Sequence, residues 1–516
     1  MTLNISRLLT EYADAPLGLD NRRPRLSWRL EAEEREQLQT AYRLLVATCP
    51  NKLERDEGDM WDSGRIESDQ SIHVQYAGSP LESGAHYYWK VRVWDKRDVP
   101  SEWSRMSSWS MGPLNQADWQ AKWIGMDVPH SDDYRSVAYL RKALVIRKPV
   151  KRAIVHATAL GIYRLFIGGR RVSDHEFAPG WTDYKKRIQY QTYEVTSHFG
   201  SGAQKAKVRK FTSLALLVSY MGYLEGISER DMIPESRTGN YGDWLSIHAD
   251  TSKELISNAF YAHSTGLMAR IASVLGREED ASKFREQAQR IKEAFAVKFA
   301  DPGGRLKGGT QTAYALTLSM GLLPEPAARL AACRLVEEVK ASDNHVTAGF
   351  LGIPHLLPAL SDYGYIDTAY DLLMQESFPS WFHQIKSGAT TMWERWDGWS
   401  KERGFHPVER MNSFNHYAFG AVGEWLYRYM AGIDTDLLQP GFKHIRIAPR
   451  PGGGLTRVYA EYESMYGTIV SAWEIQDGRF RLQVRIPINT TAAVQLPGAE
   501  TKVEIGSGTY AFEIRL

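Results

Sequence analysis

The sequence predicts a multidomain chain with elements in the order β, β, α, β. Three observations carry this. Its 516 residues exceed what a single hydrophobic core organises, so two to four domains are expected. Both ends of the chain are rich in β-branched and aromatic residues in short runs broken by Pro and Gly. From about 251 to 431 the apolar residues recur at helical spacing instead.

The N-terminal strands are expected at LSWRL (26–30), TAYRLLVAT (40–48), SIHVQY (71–76) and HYYWKVRVWD (86–95). The last places Trp89, Val91 and Val93 on one face and Tyr88, Lys90 and Arg92 on the other. Together they predict a β-sandwich of fibronectin-like size. PLNQADWQAKWIG (113–125) reads as a linker, and a second all-β segment follows to about residue 199. In it, ATALGIYRLFIGGRRV (157–172) reads as strand, Gly-Gly turn, strand, and RIQYQTYEV (187–195) alternates again.

GSGAQKAKVRK (200–210) is polar, basic and without either period. FTSLALLVSYMGYLEG (211–226) then opens a helical region with no cap signal. The second β-segment therefore stops short, and the helical region starts mid-fold.

Leu255, Ala259, Leu267, Ile271 and Val274 mark one helix. Phe284, Ala288, Ile291, Phe295 and Phe299 mark the next. Further helices are expected at 311–321, 325–340, 347–358, 364–374 and 412–431, separated by breaks such as Asp301-Pro302-Gly303-Gly304. Successive helices with short loops predict an α/α array, a toroid or a bundle. After Gly432 strands return at HIRIAP (444–449), TIVSAWEI (468–475) and RFRLQVRIP (479–487), with Asp477-Gly478 as a hairpin turn.

Composition excludes several classes. A formal net charge of +2 argues against nucleic acid and anionic membranes as partners. Cys49 and Cys333 lie far apart, which fits a reducing compartment rather than a disulfide framework. The N-terminus MTLNISRLLTEYADAP interrupts any apolar core with charges, and no run approaches 18 apolar residues, so a soluble cytoplasmic protein is expected. No phosphate-binding glycine loop, dinucleotide fingerprint, zinc-spaced Cys/His set or serine elbow occurs, so neither cofactor nor metal is expected. Sixteen Trp and 26 Tyr suit both large β-sandwich cores and the C–H faces of sugar rings.

Three stretches of the helical region carry candidate chemistry. NYGDWLSIH (240–248) holds Asp243 and Trp244. Its bland reading is a capping aspartate with a packing tryptophan. GATTMWERWDGW (388–399) surrounds Glu394 and Asp397 with Trp393, Trp396 and Trp399. The bland reading here is an ion pair of Arg395 with Glu394 or Asp397, which requires a loop because adjacent helical residues do not face each other. MNSFNHYAFGAVGEWLY (411–427) places Asn415 and His416 before a helix. A histidine there is more often a hydrogen-bonded structural residue than a catalyst. A carboxylate among tryptophans suits glycoside hydrolysis, where apolar walls exclude bulk water and the carboxylate activates one molecule. An inverting enzyme needs a second carboxyl about 6.5–9.5 Å away as general acid. The residues alone supply a candidate base and no unique acid.

These stretches resemble the bacterial α-L-rhamnosidases of glycoside hydrolase family 78. The resemblance rests on PSWFHQIKSGATTMWERWDGW (379–399), MNSFNHYAFGAVGEWLYRYMAGI (411–433), PGFKHIRIAPRP (440–451), TQTAYALTL (310–318) and GFLGIPHLLPALSDYGYIDTAYDLL (349–373). YYWKVRVWDKRDVPSEWS and GWTDYKKRIQYQTYEVT (180–196) resemble the family's accessory β-domains. The resemblance implies an (α/α)6 barrel with flanking N- and C-terminal β-sandwich domains, and the length of this chain makes the barrel an incomplete one. The expected divisions are 1–113, 118–199, 211–432 and 433–516. It also implies inverting release of terminal α-L-rhamnose from an oligosaccharide or glycoside. Glu394 matches the general base, Trp244 and His416 match residues lining the sugar pocket, and Asp243 and Trp396 sit beside them in the wall.

One departure matters. The family's general acid lies in a motif resembling D-E-R-x-G-W-x-G-D, and no such string occurs here. ISERDMIPES (227–236) lacks the Gly-Trp continuation, which makes Glu229 a poor substitute. Twelve helices of about ten to fourteen residues plus loops also need more chain than 211–432 supplies. A segment missing at the join near 200–210 accounts for both. The expected consequences are impaired activity and, through exposed helix faces, oligomerisation. The alternatives are a catalytically silent remnant or carbohydrate-binding protein, or another α/α-toroid activity such as a lyase or a glucoamylase-like hydrolase.

Overall fold

In this computed structural model, residues 3–124, 140, 150–180, 182, 184, 188–198, 221, 223–437 and 439–516 are described. The join expected at 200–210 and the start of the helical run at 211 lie outside them.

The N-terminal region contains β1 (Asn4–Thr10), β2 (Arg25–Glu31), β3 (Ala41–Ala47), helix α1 (Pro50–Glu54), β4 (Trp61–Asp62), β5 (Ile66–Glu67), β6 (Val74–Gln75), β7 (His86–Trp94) and β8 (Ser107–Ser110). Strands β1-β2-β6 form one sheet and β4-β3-β7-β8 the other, with β5 also on β3. Trp89, Val91 and Val93 point into the core beside Trp28 and Trp109, as their alternation predicts. Lys90 departs from the expected outer face. It is buried because α1 covers that side, and its ammonium meets the Leu53 carbonyl and Asp56. The run 71–76 gives only the two-residue β6.

In the second β-region, β9 (Ile154–Ala157) pairs with β12 (Gln191–Glu194), and β10 (Phe166–Ile167) with β11 (Arg170–Arg171). Gly168 and Gly169 adopt φ of 58° and 76°, the left-handed pair that a tight hairpin needs.

The helical middle region contains α2 (Lys253–Val274), α3 (Glu278–Phe299), α4 (Gln311–Ser319), α5 (Glu325–Ala341), α6 (Ile353–Asp362), α7 (Ile366–Met374), α8 (Trp381–Lys386) and α9 (Val422–Trp425). One continuous core joins them. Helix α3 buries Ala288, Ile291, Phe295 and Phe299 as its spacing predicts. Helix α2 does not follow the prediction. Leu255 and Ala259 are buried, while Leu267, Ile271 and Val274 are exposed. At 100° per residue the last three lie on a different face from the first two, so α2 carries a second apolar stripe open to solvent.

Two expected helices start later than predicted. Residues 347–352 form a loop, and α6 begins after Gly352 with Pro354 in its first turn. Residues 412–416 run irregularly against the 392–394 segment, so helical structure resumes only at Ala418.

The C-terminal region pairs β15 (Ile433–Thr435), β16 (His444–Ile447), β20 (Thr491–Val494) and β21 (Val503–Ile505) in one sheet. The other holds β17 (Arg457–Glu463), β18 (Thr468–Gln476), β19 (Arg479–Ile486) and β22 (Gly508–Arg515). Asp477 and Gly478 have φ of 51° and 70° at the β18–β19 turn. The first and last regions grip each other. Arg29 donates to Glu463 at 2.5 Å and to the Ser464 carbonyl at 2.6 Å, and the Gln39 amide donates to Asn489 Oδ1 at 2.7 Å. No helix among the described residues is long and apolar enough to cross a membrane.

Inside the helical region His355 of α6 sits 2.7 Å from the Ser319 hydroxyl with its ring edge-on to Phe260. Burial, with a smaller push from His263, lowers its pKa from 6.5 to about 4. The native state therefore holds His355 neutral where the unfolded chain would begin to bind a proton. Its contribution to stability is complete above about pH 6.5 and is lost as pH falls towards 4. Urea melts from pH 7 to 4 should show this loss, and His355→Asn should flatten it.

Candidate active site

The stretch from Gly388 to Trp399 is a loop, with only Trp399 entering a strand, β13 (Trp399–Ser400), which pairs with β14 (Gly404–Phe405). Loop geometry permits the bland ion pair after all. Arg395 Nε lies 3.0 Å from Asp397, which also draws His406 at 3.3 Å and Arg403 at 3.7 Å. Asp397 is thus spent on holding the loop. Glu394 stands apart from it and has no cationic partner among the described residues.

Glu394 is only 6% exposed. Its backbone N–H donates to the Ser413 carbonyl, and its Oε2 accepts the Ser413 N–H, each at 2.8 Å. Oε1 takes no hydrogen bond from a described residue, yet it is not among the sealed-off polar atoms. One oxygen is therefore fixed by the backbone and the other is open to a water molecule. That is the arrangement a general base needs.

The tryptophans serve this loop in different ways. Trp396 is 1% exposed, stacks on Phe419 at 4.0 Å and meets Trp381 edge-on. A sugar cannot reach it, so its expected place in the pocket wall is corrected: it supports the wall from behind. Trp393 is also buried and packs edge-on against Phe414.

His416 joins the same segment through its N–H, which donates to the Met392 carbonyl at 2.8 Å. Its Nδ1 accepts the Ala418 N–H at 3.2 Å. The neutral ring must then carry its proton on Nε2, which leaves that N–H free to donate outward. The ring lies between Phe350, 5.0 Å away, and Tyr417, stacked at 5.4 Å and 87% exposed.

Phe350 links this cluster to the 240–248 stretch, because its N–H donates to the Trp244 carbonyl at 2.9 Å. Trp244 itself is 40% exposed. Asp243 is buried and fully engaged. Its oxygens accept the N–H groups of Gly349 at 2.7 Å, Leu351 at 2.8 Å and Gly352 at 3.2 Å, and the Thr312 hydroxyl. The expectation that Asp243 stands in the pocket wall is corrected on this ground. It pins the loop that carries Phe350 to the start of α6. The aspartate–tryptophan capping alternative comes close, with the cap reaching over a hundred residues along the chain.

Four stretches, 240–248, 347–352, 388–399 and 411–427, are thus linked through Trp244, Phe350, Glu394, His416 and Tyr417. Sequence reasoning missed Phe350 and Tyr417. Tyr417 adjoins His416 and could have been found, whereas Phe350 carries no local signal. Glu229, the weak candidate acid, is exposed and pairs with Arg237 at 3.2 Å. At Gly349 this assembly leaves no room for a side chain. An added Cβ would fall 2.3 Å from the Trp244 carbonyl oxygen and 2.8 Å from that of Asp243. Gly349→Ala should therefore cost about 1–3 kcal/mol in a denaturant melt, because backbone cannot move aside cheaply.

Family models match this chain in order along its length. They describe a Rha78A-like N-terminal immunoglobulin domain (5–115), an α-L-rhamnosidase N-terminal domain (148–209), a bacterial α-L-rhamnosidase 6 hairpin glycosidase domain (180–430) and a bacterial α-L-rhamnosidase C-terminal domain (432–511). The helical region thus falls in a class of glycosidase domains. The chain belongs to the bacterial α-L-rhamnosidase family. A curated α-L-rhamnosidase of Streptomyces avermitilis is 43% identical over 332 residues, 64% of this chain and 31% of the relative. The chain therefore spans about a third of that relative's length. An α-L-rhamnosidase of Formosa agariphila is 24% identical over 845 aligned positions, covering 95% of this chain and 91% of the relative. Among solved structures, the Streptomyces avermitilis α-L-rhamnosidase complexed with L-rhamnose superposes with a TM-score of 0.87 at 21% identity. It covers 99% of this chain and 100% of that one, which shows the shared fold: a helical middle domain between β-rich ends.

Proposed function

We propose that this chain descends from an inverting α-L-rhamnosidase acting on terminal α-L-rhamnose of rhamnosides, and that it retains the base half of the catalytic pair. The observation that carries this is Glu394, with one oxygen fixed by Ser413 N–H and the other taking no hydrogen bond from a described residue. Glu394 deprotonates the attacking water, and the sugar departs through an oxocarbenium-like transition state. Trp244 offers an exposed ring face to the sugar, and His416 offers Nε2–H to a hydroxyl. Asp243 and Trp396 hold this surface from behind.

The general acid is absent on this reading, and the activity is impaired. The Formosa agariphila alignment supports it: 845 positions include only 95% of a 516-residue chain, so about 350 positions face no residue here. The models for the second β-domain and the helical domain also overlap over 180–209, where the join falls. The helical region is then an incomplete (α/α)6 barrel, with domain divisions at 1–113, 118–199, 211–432 and 433–516. The bare stripe of Leu267, Ile271 and Val274 supports self-association, to be read by light scattering.

Proton NMR of the first sugar released from a nitrophenyl α-L-rhamnoside tests the mechanism. Inversion gives β-L-rhamnose first, and α-L-rhamnose first would sink it. A second reading, a silent remnant that at most binds sugar, is favoured by the engagement of both Asp243 and Asp397. It predicts no rhamnose release from any substrate.

A further inference from the structure

A cavity of about 410 Å³ lies between α2 and α3, away from the patch around Glu394. Gly266 of α2 and Ala288 of α3 are among the small residues that keep it open, while His263, Arg270, Arg285 and Lys292 bring the charge. Among the described residues, no acidic side chain lines it. Residues 263, 266 and 270 share one face of α2, and 285, 288 and 292 share one face of α3, so both helices aim cations at the same space.

Nearby cations show what is unusual. Arg290 pairs with Asp231, Lys298 with Glu254, and Arg277 with Asp280. Arg270, Arg285 and Lys292 have no carboxylate partner and no hydrogen bond among the described residues. Lys292 is half-buried, and both burial and Arg270 push its pKa below the usual lysine value. Burial, with smaller pushes from Arg270 and Lys292, holds His263 below the usual histidine value. Arg270 and Arg285 reach solvent while Lys292 is half-buried, and an anion entering the space would relieve the like charge that the three share.

We propose that this cavity binds a small organic oxyanion, a phosphate, sulfate or carboxylate carried on a sugar-sized body. Its volume exceeds what a bare ion fills and falls in the range of small-molecule sites. Two guanidinium groups supply forked donors for an oxyanion, and the Lys292 ammonium supplies a point charge. The small apolar floor leaves room for a ring. Neutral sugars gain nothing from the three cations.

Isothermal titration of the purified full chain against inorganic phosphate, a hexose phosphate, glucuronate and glucose tests this. The expected result is saturable binding of the hexose phosphate or glucuronate, weaker binding of inorganic phosphate, and none of glucose. Lys292→Met, which keeps the stem and removes the charge, should weaken binding roughly tenfold or more. Arg290→Ala, outside the cavity, should leave it unchanged. Circular dichroism of both variants separates loss of the site from loss of the fold, and Arg270→Gln is the substitute if Lys292→Met unfolds. Tightest binding of inorganic phosphate would show that a free ion, not a sugar-borne group, is the ligand, and would overturn the organic part. No saturable anion binding, or binding indifferent to the charge-removing variants in folded protein, would overturn the whole.

Discussion

Glu394→Gln is expected to lower kcat on a nitrophenyl α-L-rhamnoside by about 10²–10⁴-fold. The amide keeps the shape of the carboxylate. Its oxygen can still accept the Ser413 N–H, so the loop from Gly388 to Trp399 should stay in place. What is lost is the basicity of the open oxygen. The melting temperature should therefore barely move while turnover collapses. The same substitution in a relative carrying this stretch should behave alike. Unchanged kcat would remove Glu394 from the mechanism.

Asp243→Ala is expected to destabilise the helical region by about 3–5 kcal/mol. The carboxylate receives three backbone N–H groups and the Thr312 hydroxyl, and truncation leaves all four without an acceptor in a buried place. Each orphaned buried donor costs about 1–3 kcal/mol, partly relieved by any water that enters. The loop 347–352 would then loosen, and Phe350 with it, so His416 would lose one of its flanking rings. Urea unfolding measures the first effect. A ΔΔG below about 1 kcal/mol would contradict this role for Asp243. Asp243→Asn is the milder companion, since one amide oxygen still accepts while the NH2 group faces backbone donors.

Legibility in the sequence followed how local each determinant was. The Gly168-Gly169 and Asp477-Gly478 turns were predictable because positive φ is a local demand met by residue type. The buried face of α3 followed from spacing alone. Helix α2 misled because Leu255 and Ala259 on one face and Leu267, Ile271 and Val274 on another have plausible helical spacings. Only the folded neighbours show which stripe is covered. The start of α6 was placed too early for a related reason. Residues 347–352 (TAGFLG) carry two glycines that weaken a helix, and Asp243, over a hundred positions earlier, captures N–H groups of this segment.

The site divides in the same way. Glu394 among tryptophans could be singled out from its chemistry, and the family resemblance supplied a role. The fate of Asp397 depended on Arg395 and His406 meeting it in a loop, which no periodicity encodes. Trp396 was placed in the wall by adjacency, while its stacking on Phe419 puts it one layer deeper.

The central claim is a base without its acid, and the leaving group tests it most directly. Nitrophenol departs with little protonation, whereas an alkyl alcohol needs a proton from the enzyme. Rhamnose release by the purified chain should be measured on nitrophenyl and methyl α-L-rhamnosides under the same conditions. The account predicts slow hydrolysis of the nitrophenyl glycoside that Glu394→Gln abolishes, and none of the methyl glycoside above background. Efficient hydrolysis of the methyl glycoside would contradict it, because a working general acid would then have to be present in this chain.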